Sequence, residues 1–410
     1  MERTIRDCEV CYGSKLKHVL NLGSHPLCDD LIPFGDPRMP ETYPIDVAFC
    51  PVCKTAHQTY QVPKRKLFPN TYHYRARHTA DVLSGMRQLV ERCERQRGSL
   101  KNALVLDVGC NDGSLLSIFR EFGARTIGVE PTGAAADAKE SGHIVYQDYF
   151  TPSLAEKIAA TAGTPDVITF TNVFAHIEDL RGLIAAVGAL MGPATLLVIE
   201  NHYLGAVLDR YQFDTFYHEH PRTYSLASFR HIAKSLQASL EVVEFPARYG
   251  GNIRVMLRRG EGGEEAKLGL AKADAVEADF EQRLEAMATR IPAWQKAKRA
   301  EIGAAVSRHG PLVGKAFPGR AAILVKLLDL DQSMVSAVYE KPGSMKIGHY
   351  IPGTRIPILS DDDFARRPDR AVPLLNLAWH ISAEIHGYMR KNGYEGQIID
   401  IFSAEEFERT

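Results

Sequence analysis

The apolar positions fall into distinct rhythms along the chain. Between residues 102 and 260, "ALVLDVGC", "TIGVEP", "DVITFTNV" and "TLLVIEN" read as buried strands, and "GSLLSIFREFG" as a helix closed by Gly123. Short strands that are apolar throughout, with helices between them, predict a parallel sheet covered on both faces. Upstream, Val82, Met86, Leu89 and Val90 recur at helical spacing and predict a helix leading into this region. Residues 264–308, dominated by Ala, Glu, Lys and Leu, read as a helical connector broken only at Pro292. After Gly310 the α/β rhythm returns in "GPLVGKAFPGRAAILVKLLDL", "VSAVYE", "AVPLLNLAWHISAEI" and "GQIIDIF". The charged stretch "SDDDFARRPDR" reads as solvated surface, and "RYGGN" (248–252) as a turn. Residues 1–70 differ from all of this, with short strand-like pieces and many prolines. The predicted class is α/β in three parts: a small module over 1–70, a Rossmann-like domain over 71–262, and a connector with a smaller α/β domain over 263–410.

Charge changes this picture little. The 410 residues carry 49 basic and 50 acidic side chains, so no global attraction to nucleic acid or to an anionic membrane is expected. No uncharged apolar run approaches the ~18 residues a membrane span needs. The segment "MERTIRDCEVCYG" lacks the apolar core of a signal peptide, which predicts a cytoplasmic location.

Cysteine changes it more. Cys8 and Cys11, then Cys50 and Cys53, form two CxxC pairs. In a cytoplasmic chain such pairs suggest metal ligands rather than disulfides. Four thiolates delivered as two pairs suit tetrahedral zinc, and a closed four-sulfur site makes that zinc structural. A module of about 70 residues with little apolar content needs such a staple. Cys28, Cys93 and Cys110 lack matched partners and read as buried apolar residues.

"LVLDVGCNDG" (104–113) is a strand, a tight glycine turn and a helix start. Gly109 and Gly113 let the backbone pass close to a ligand. A nucleotide phosphate would prefer bare amides and cations at the helix start. Asp107, Asn111 and Asp112 instead suit a ligand with ammonium and hydroxyl groups, such as S-adenosylmethionine (SAM). Glu130, ending the next strand, is placed to accept from both ribose hydroxyls, and Asp148 to reach the adenine. Asn172 and Glu200 follow strands, where they either line a pocket or hold loops.

"TFYHEH" (215–220) is open to three readings: a metal site, a general acid/base pair, or a polar bend. His218 and His220 would share a face of an extended segment, with no third ligand nearby.

Taken together, these motifs resemble the three-part SAM-dependent sugar C-methyltransferases, which methylate nucleotide-linked 4-keto sugars at C3. The resemblance runs over almost the whole chain: the CxxC pairs with "LNLGSHPLCDDL", then "DVGCNDG", "TNVFAHIEDL", "FYHEHPRTYSL" and "YIPGTRIPI". It implies that His220 is the general base, that Glu219 orients it, and that Tyr217 lies by the keto oxygen. His176 is implied as a second active-site histidine. In "YHYRARHT" it implies that Tyr72 or Tyr74 covers the active site, both being candidate substrate contacts, while Arg75 and Arg77 replace the small or hydroxyl residues usual there. Two guanidiniums suit a diphosphate. A second departure is "GKAFPGRAAIL", where Phe317, Pro318 and Arg320 stand in a glycine turn that usually carries small residues and lysine. The implied partner is a nucleotide-diphosphate sugar, and the chain is expected to act as a monomer or weak homodimer. Two rivals remain at this point. One is a SAM-dependent O- or N-methyltransferase on another small molecule. The other is a zinc module that binds protein or nucleic acid, against which the absence of a basic stripe argues.

Overall fold

The computed structural model describes residues 2–68, 75–78, 80–260, 273–369 and 371–409. The chain forms two compact units with interleaved segments: residues 1–18, 48–207 and 219–281 make the first, and 19–47, 208–218 and 282–410 the second.

In the first unit, the short strand β1 (Ala56–Gln58) precedes helix α1 (Ala80–Arg97). Val82, Met86, Leu89 and Val90 of α1 are all buried, as their spacing predicts. The Rossmann-like part follows as β2 (Leu104–Val108), α2 (Ser114–Glu121), β3 (Arg125–Val129), α3 (Ala134–Glu140), β4 (Ile144–Tyr146), α4 (Pro152–Ala162), β5 (Val167–Thr171), α5 (Leu180–Leu190) and β6 (Leu196–His202). A two-residue strand β7 (Arg222–Thr223) pairs antiparallel with β1. Helix α6 (Leu226–Ser235) and strands β8 (Ala238–Glu244) and β9 (Asn252–Arg259) complete the unit's sheet.

The sheet order is β8-β9-β6-β5-β2-β3-β4. The five strands from β6 to β4 are parallel, and β9 and β8 join antiparallel. The central parallel strands β2, β5 and β6 are buried on both faces, which is why their sequences are largely apolar rather than alternating, whereas the edge strand β4 is not buried. The chain winds outward from β2 to β4, then returns to place β5 on the other side of β2. That reversal makes a crevice at the carboxyl ends of β2 and β5, where open α/β sheets bind ligands.

In the second unit, residues 282–309 belong to helix α7 (Phe280–His309), which runs unbroken with Pro292 inside it. The expected break is absent. A mid-helix proline forfeits one backbone hydrogen bond, but buried Leu284, Met287, Ile291 and Trp294 hold the helix through that point. Strands β10 (Leu312–Lys315), β11 (Val335–Glu340), β12 (Ile358–Ser360), β13 (Leu374–Asn376) and β14 (Ile398–Asp400) form a parallel sheet ordered β12-β11-β10-β13-β14. This is the smaller α/β sheet the sequence predicts. "SDDDFARRPDR" is not simply solvated: Ser360 caps a short helix, and Asp361 in its first turn binds the buried Lys315 ammonium at 2.6 and 2.8 Å. "YIPGTRIPI" clasps residues 32–38: Tyr350 pairs with Ile32, and Arg355 donates to the carbonyls of Asp36, Pro37 and Arg38.

Candidate active site

The cysteine pairs form two copies of one turn. Tyr12 N–H donates to Cys8 O (3.0 Å) and Lys54 N–H to Cys50 O (2.8 Å), with Tyr12 and Lys54 in the left-handed region. Each turn brings its two thiols together. Cys8 and Cys53 Sγ are 3.4 Å apart, Cys11 and Cys50 Sγ 3.5 Å, and all four lie within 4.8 Å of one another. Tetrahedral zinc with Zn–S bonds of about 2.3 Å needs sulfurs about 3.8 Å apart, so the set fits the ion. Contact with Cys50 and burial push the Cys8 thiol up to about 12, a penalty a cation would remove. Val10 and Cys11 N–H both point at Cys8 Sγ at 3.4 Å, and Thr55 Oγ1 and His57 Nε2 lie 3.0 and 3.3 Å from Cys53 and Cys8 Sγ. Such outer contacts orient thiolate ligands. Among the described residues this is the one group of at least three His, Cys, Asp or Glu side chains that fits a metal; residues 218–220 form none. Cys28, Cys93 and Cys110 are buried apart from it.

The glycine turn sits at the crevice of the seven-stranded sheet. Gly109 has φ +74°, and a Cβ there would stand 2.4 Å from Val173 Cγ2, so only glycine fits. Asp107 is buried, accepts from Thr169 Oγ1 at 2.6 Å, and is pushed up to about 7, chiefly by desolvation. Glu130 accepts from Asn111 N–H (3.0 Å) and Thr132 N–H (2.9 Å), which bends the end of β3 back over the turn. Asn111 Oδ1 and Asp112 Oδ2 accept from the backbone N–H of Ala76 and Arg77, and Asp112 Oδ1 accepts from Ser114. Each carboxylate keeps lone pairs for ligand hydroxyls and amines. Asp148 is exposed just beyond β4, where it accepts from Tyr149 N–H. Asn172, in the left-handed region, follows β5 and accepts from Asn252 Nδ2 at 3.2 Å.

Tyr72 and Tyr74 lie outside the described residues. Arg75 and Arg77 both bind Asp137 of α3, at 2.7 and 3.2 Å. In the second unit Arg320 holds buried Asp214 through two contacts of 2.9 and 3.0 Å, so this departure from the family pattern serves a buried ion pair.

Three imidazoles gather beyond β5 and β6. His176 closes a turn after β5, with its ring centroid 4.8 Å from that of His220; His202, the last residue of β6, is 5.4 Å from His220. His176 Nδ1 donates to Glu219 O at 2.8 Å, tying the turn after β5 to the segment bearing His220. Burial lowers His176 to about 4, so its imidazole is neutral at ordinary pH. His220 and Glu219 are buried. His218 belongs to the second unit, where Nε2 donates to Tyr43 O at 3.0 Å. Burial lowers it to about 4 as well, so its imidazole is neutral at ordinary pH. Tyr217, half-buried, also belongs to the second unit. Sequence reasoning missed His202, although it ends a parallel strand just as His176 follows one.

Glu200 serves to hold loops. It is fully buried and binds Arg248 and Arg254, each at 2.7 Å, and Asn252 Nδ2 at 3.0 Å. Burial alone would raise its carboxyl, but the two guanidiniums hold it below the usual range. Arg248 crosses α1 at Gly85, where a Cβ would collide with its guanidinium, and donates to Val82 O. Glu200→Gln leaves two buried guanidiniums short of their counter-charge. We expect about 3–5 kcal/mol of lost stability, seen as a lower urea midpoint at unchanged slope.

A seven-stranded sheet of this order, five strands parallel and two antiparallel, with a glycine turn after β2 and an acidic residue at the end of β3, is the scaffold of a SAM-dependent methyltransferase. Three family models match in series: a zinc binding domain over residues 8–68, a methyltransferase domain over 75–244, and a C-methyltransferase C-terminal domain over 247–399. The chain is 29% identical over 395 residues to the C-methyltransferase NovU of Streptomyces niveus, spanning 93% of this chain and 92% of that protein. It is 35% identical to the ubiquinone biosynthesis O-methyltransferase of Cronobacter sakazakii over 101 residues, 23% of this chain and 41% of that one. Among solved structures, the PH0226 protein of Pyrococcus horikoshii OT3 covers 48% of this chain with 98% of its own, at 16% identity and a TM-score of 0.36. The chain belongs to the three-part C-methyltransferases: a SAM-dependent enzyme that methylates carbon and carries a structural zinc. No helix among the described residues is long and apolar enough to cross a membrane.

Proposed function

We propose that the enzyme methylates C3 of a nucleotide-diphosphate-linked 4-keto-deoxy sugar through a base-generated enolate. The observation that carries this is the pair His176–His220 at the carboxyl ends of the parallel strands, with His176 held neutral. A C4 ketone acidifies the proton at C3. His220 takes that proton, so the C3–H electron pair becomes the enolate and the proton stays on the imidazole. Glu219 orients the base as charge develops on the keto oxygen. His176, fixed through Nδ1, keeps the base in line. Bound SAM supplies the electrophilic methyl group that the carbon takes up. Asp107, Gly109, Asn111, Asp112, Gly113 and Glu130 would hold SAM, with Asp148 and Asn172 at the rim.

The test is a screen of 4-keto sugars on dTDP, GDP and CDP with SAM, read by mass for one added methyl and by NMR for its position. A methyl on oxygen or nitrogen, or refusal of every 4-keto sugar, overturns the reading.

Asp107 adds a pH signature. Its carboxyl, raised to about 7, is largely protonated below that pH in the free enzyme. An ammonium placed beside it favours the ionised form. SAM binding near pH 6 should therefore release a proton, and affinity should climb with pH and level off above 7. Calorimetry in two buffers of different ionisation heat reads the release, and Asp107→Asn should abolish it.

A further inference from the structure

Arg222 lies two residues after His220 and is fully buried. Its guanidinium reaches three ways. Nη1 donates to Glu9, which sits between the zinc ligands Cys8 and Cys11. Nη2 donates to the carbonyl of Ile177, the residue after His176. Nε donates to the Tyr224 hydroxyl at 3.0 Å. The same segment is pinned to the zinc knuckles by backbone: Arg222 pairs with His57, Thr223 with Ala56, and Gln58 N–H donates to Pro221 O at 2.9 Å. Beyond it, Ser225 and Ser228 at the start of α6 donate to Cys53 O at 3.1 and 3.2 Å, and Ser228 lies 2.7 Å from Thr55 Oγ1.

Both histidine-bearing segments therefore end on one buried cation, and that cation ends on the metal knuckle. We propose that Arg222 is a positioning residue that sets His176 and His220 against each other from the zinc site. Zinc on this view fixes the spacing of the imidazoles as well as the fold of the small module. The arrangement explains why an arginine stands buried at a position where the chain needs no charge for chemistry. It differs from a plain ion pair in its geometry, because a lysine ammonium has the charge but not the three-way planar reach.

The inference rests on the assignment of His220 as base for its turnover arm alone; its main readout is independent of the substrate. The variants are Arg222→Met, Arg222→Lys and the double variant Glu9→Gln with Arg222→Met, which removes both buried charges together. Zinc content is read by colorimetric release, SAM affinity by calorimetry, and His176 and His220 by pH titration of histidine-labelled protein in NMR. We expect one zinc per chain and unchanged SAM affinity in the double variant, with the resonances and titrations of His176 and His220 displaced. Turnover on the substrate found in the screen should fall on the order of 10²-fold in kcat, and Arg222→Lys should not restore it. Wild-type histidine titrations in the double variant overturn the proposal. So does loss of zinc and SAM binding in step with the histidine changes, which would make Arg222 part of the module's fold only. His220→Ala beside these variants separates the two ideas. Full turnover there overturns the base assignment alone. Loss there with wild-type turnover in Arg222→Met overturns this one.

Discussion

His220→Ala should bind SAM as the wild type does and turn over about 10²–10⁴ times more slowly, the range a positioned general base contributes. The two effects separate because the groups are separate. The proposed cofactor contacts stand on the turn after β2 and the end of β3, whereas His220 stands beyond β5 and β6, against His176 and His202. The loss should fall on proton removal itself. Deuterium exchange at C3 of the 4-keto sugar, followed without SAM, should slow by the same factor as methylation. If exchange persists at the wild-type rate while methylation is lost, His220 acts after proton removal and the base lies elsewhere. Full methylation in the variant removes His220 from the mechanism altogether.

Removing zinc should have the larger structural effect. Zinc binding in small four-ligand modules is worth about 10–16 kcal/mol, comparable to the whole stability of an ordinary domain, about 5–15 kcal/mol. Chelation, or Cys53→Ser, should therefore unfold the knuckles rather than loosen them. The damage should spread to α6, because Cys53 O accepts from both serines at that helix start. We expect a lower and broader thermal transition, loss of activity, and recovery of both when zinc is returned to the chelated protein. An enzyme stripped of zinc that keeps its transition temperature would show that the four sulfurs do not need the ion.

Much of this was readable from residues alone, for identifiable reasons. Two-face burial writes itself into a parallel strand as a largely apolar run, which makes β2, β5 and β6 legible. The CxxC pairs were legible because a tetrahedral ion needs them at that spacing. What escaped was decided by distant partners. Pro292 looks like a helix stop until Met287, Ile291 and Trp294 are seen buried around it. Asp361 looks like surface until Lys315 is found beneath it. The ion pair of Arg75 with Asp137, 62 residues away, has no signature in the local sequence. Arg222 drew no attention, since a buried arginine is recognised only by the groups that surround it. "TFYHEH" was legible as important but not as divided. The chain changes unit between His218 and Glu219, so its two histidines serve different bodies.

That alternation of segments bears on how the protein is made. The chain passes between its two units five times, after residues 18, 47, 207, 218 and 281. Residues 19–47 are made before residues 282–410, with which they share a unit, so the contacts between those two segments form only after more than two hundred intervening residues have been synthesised. Contacts so distant in sequence are slow to form. A cut at residue 70 or 262 would likewise strand part of one unit on the wrong fragment, so the working enzyme is best produced as one uninterrupted chain, slowly and at low temperature.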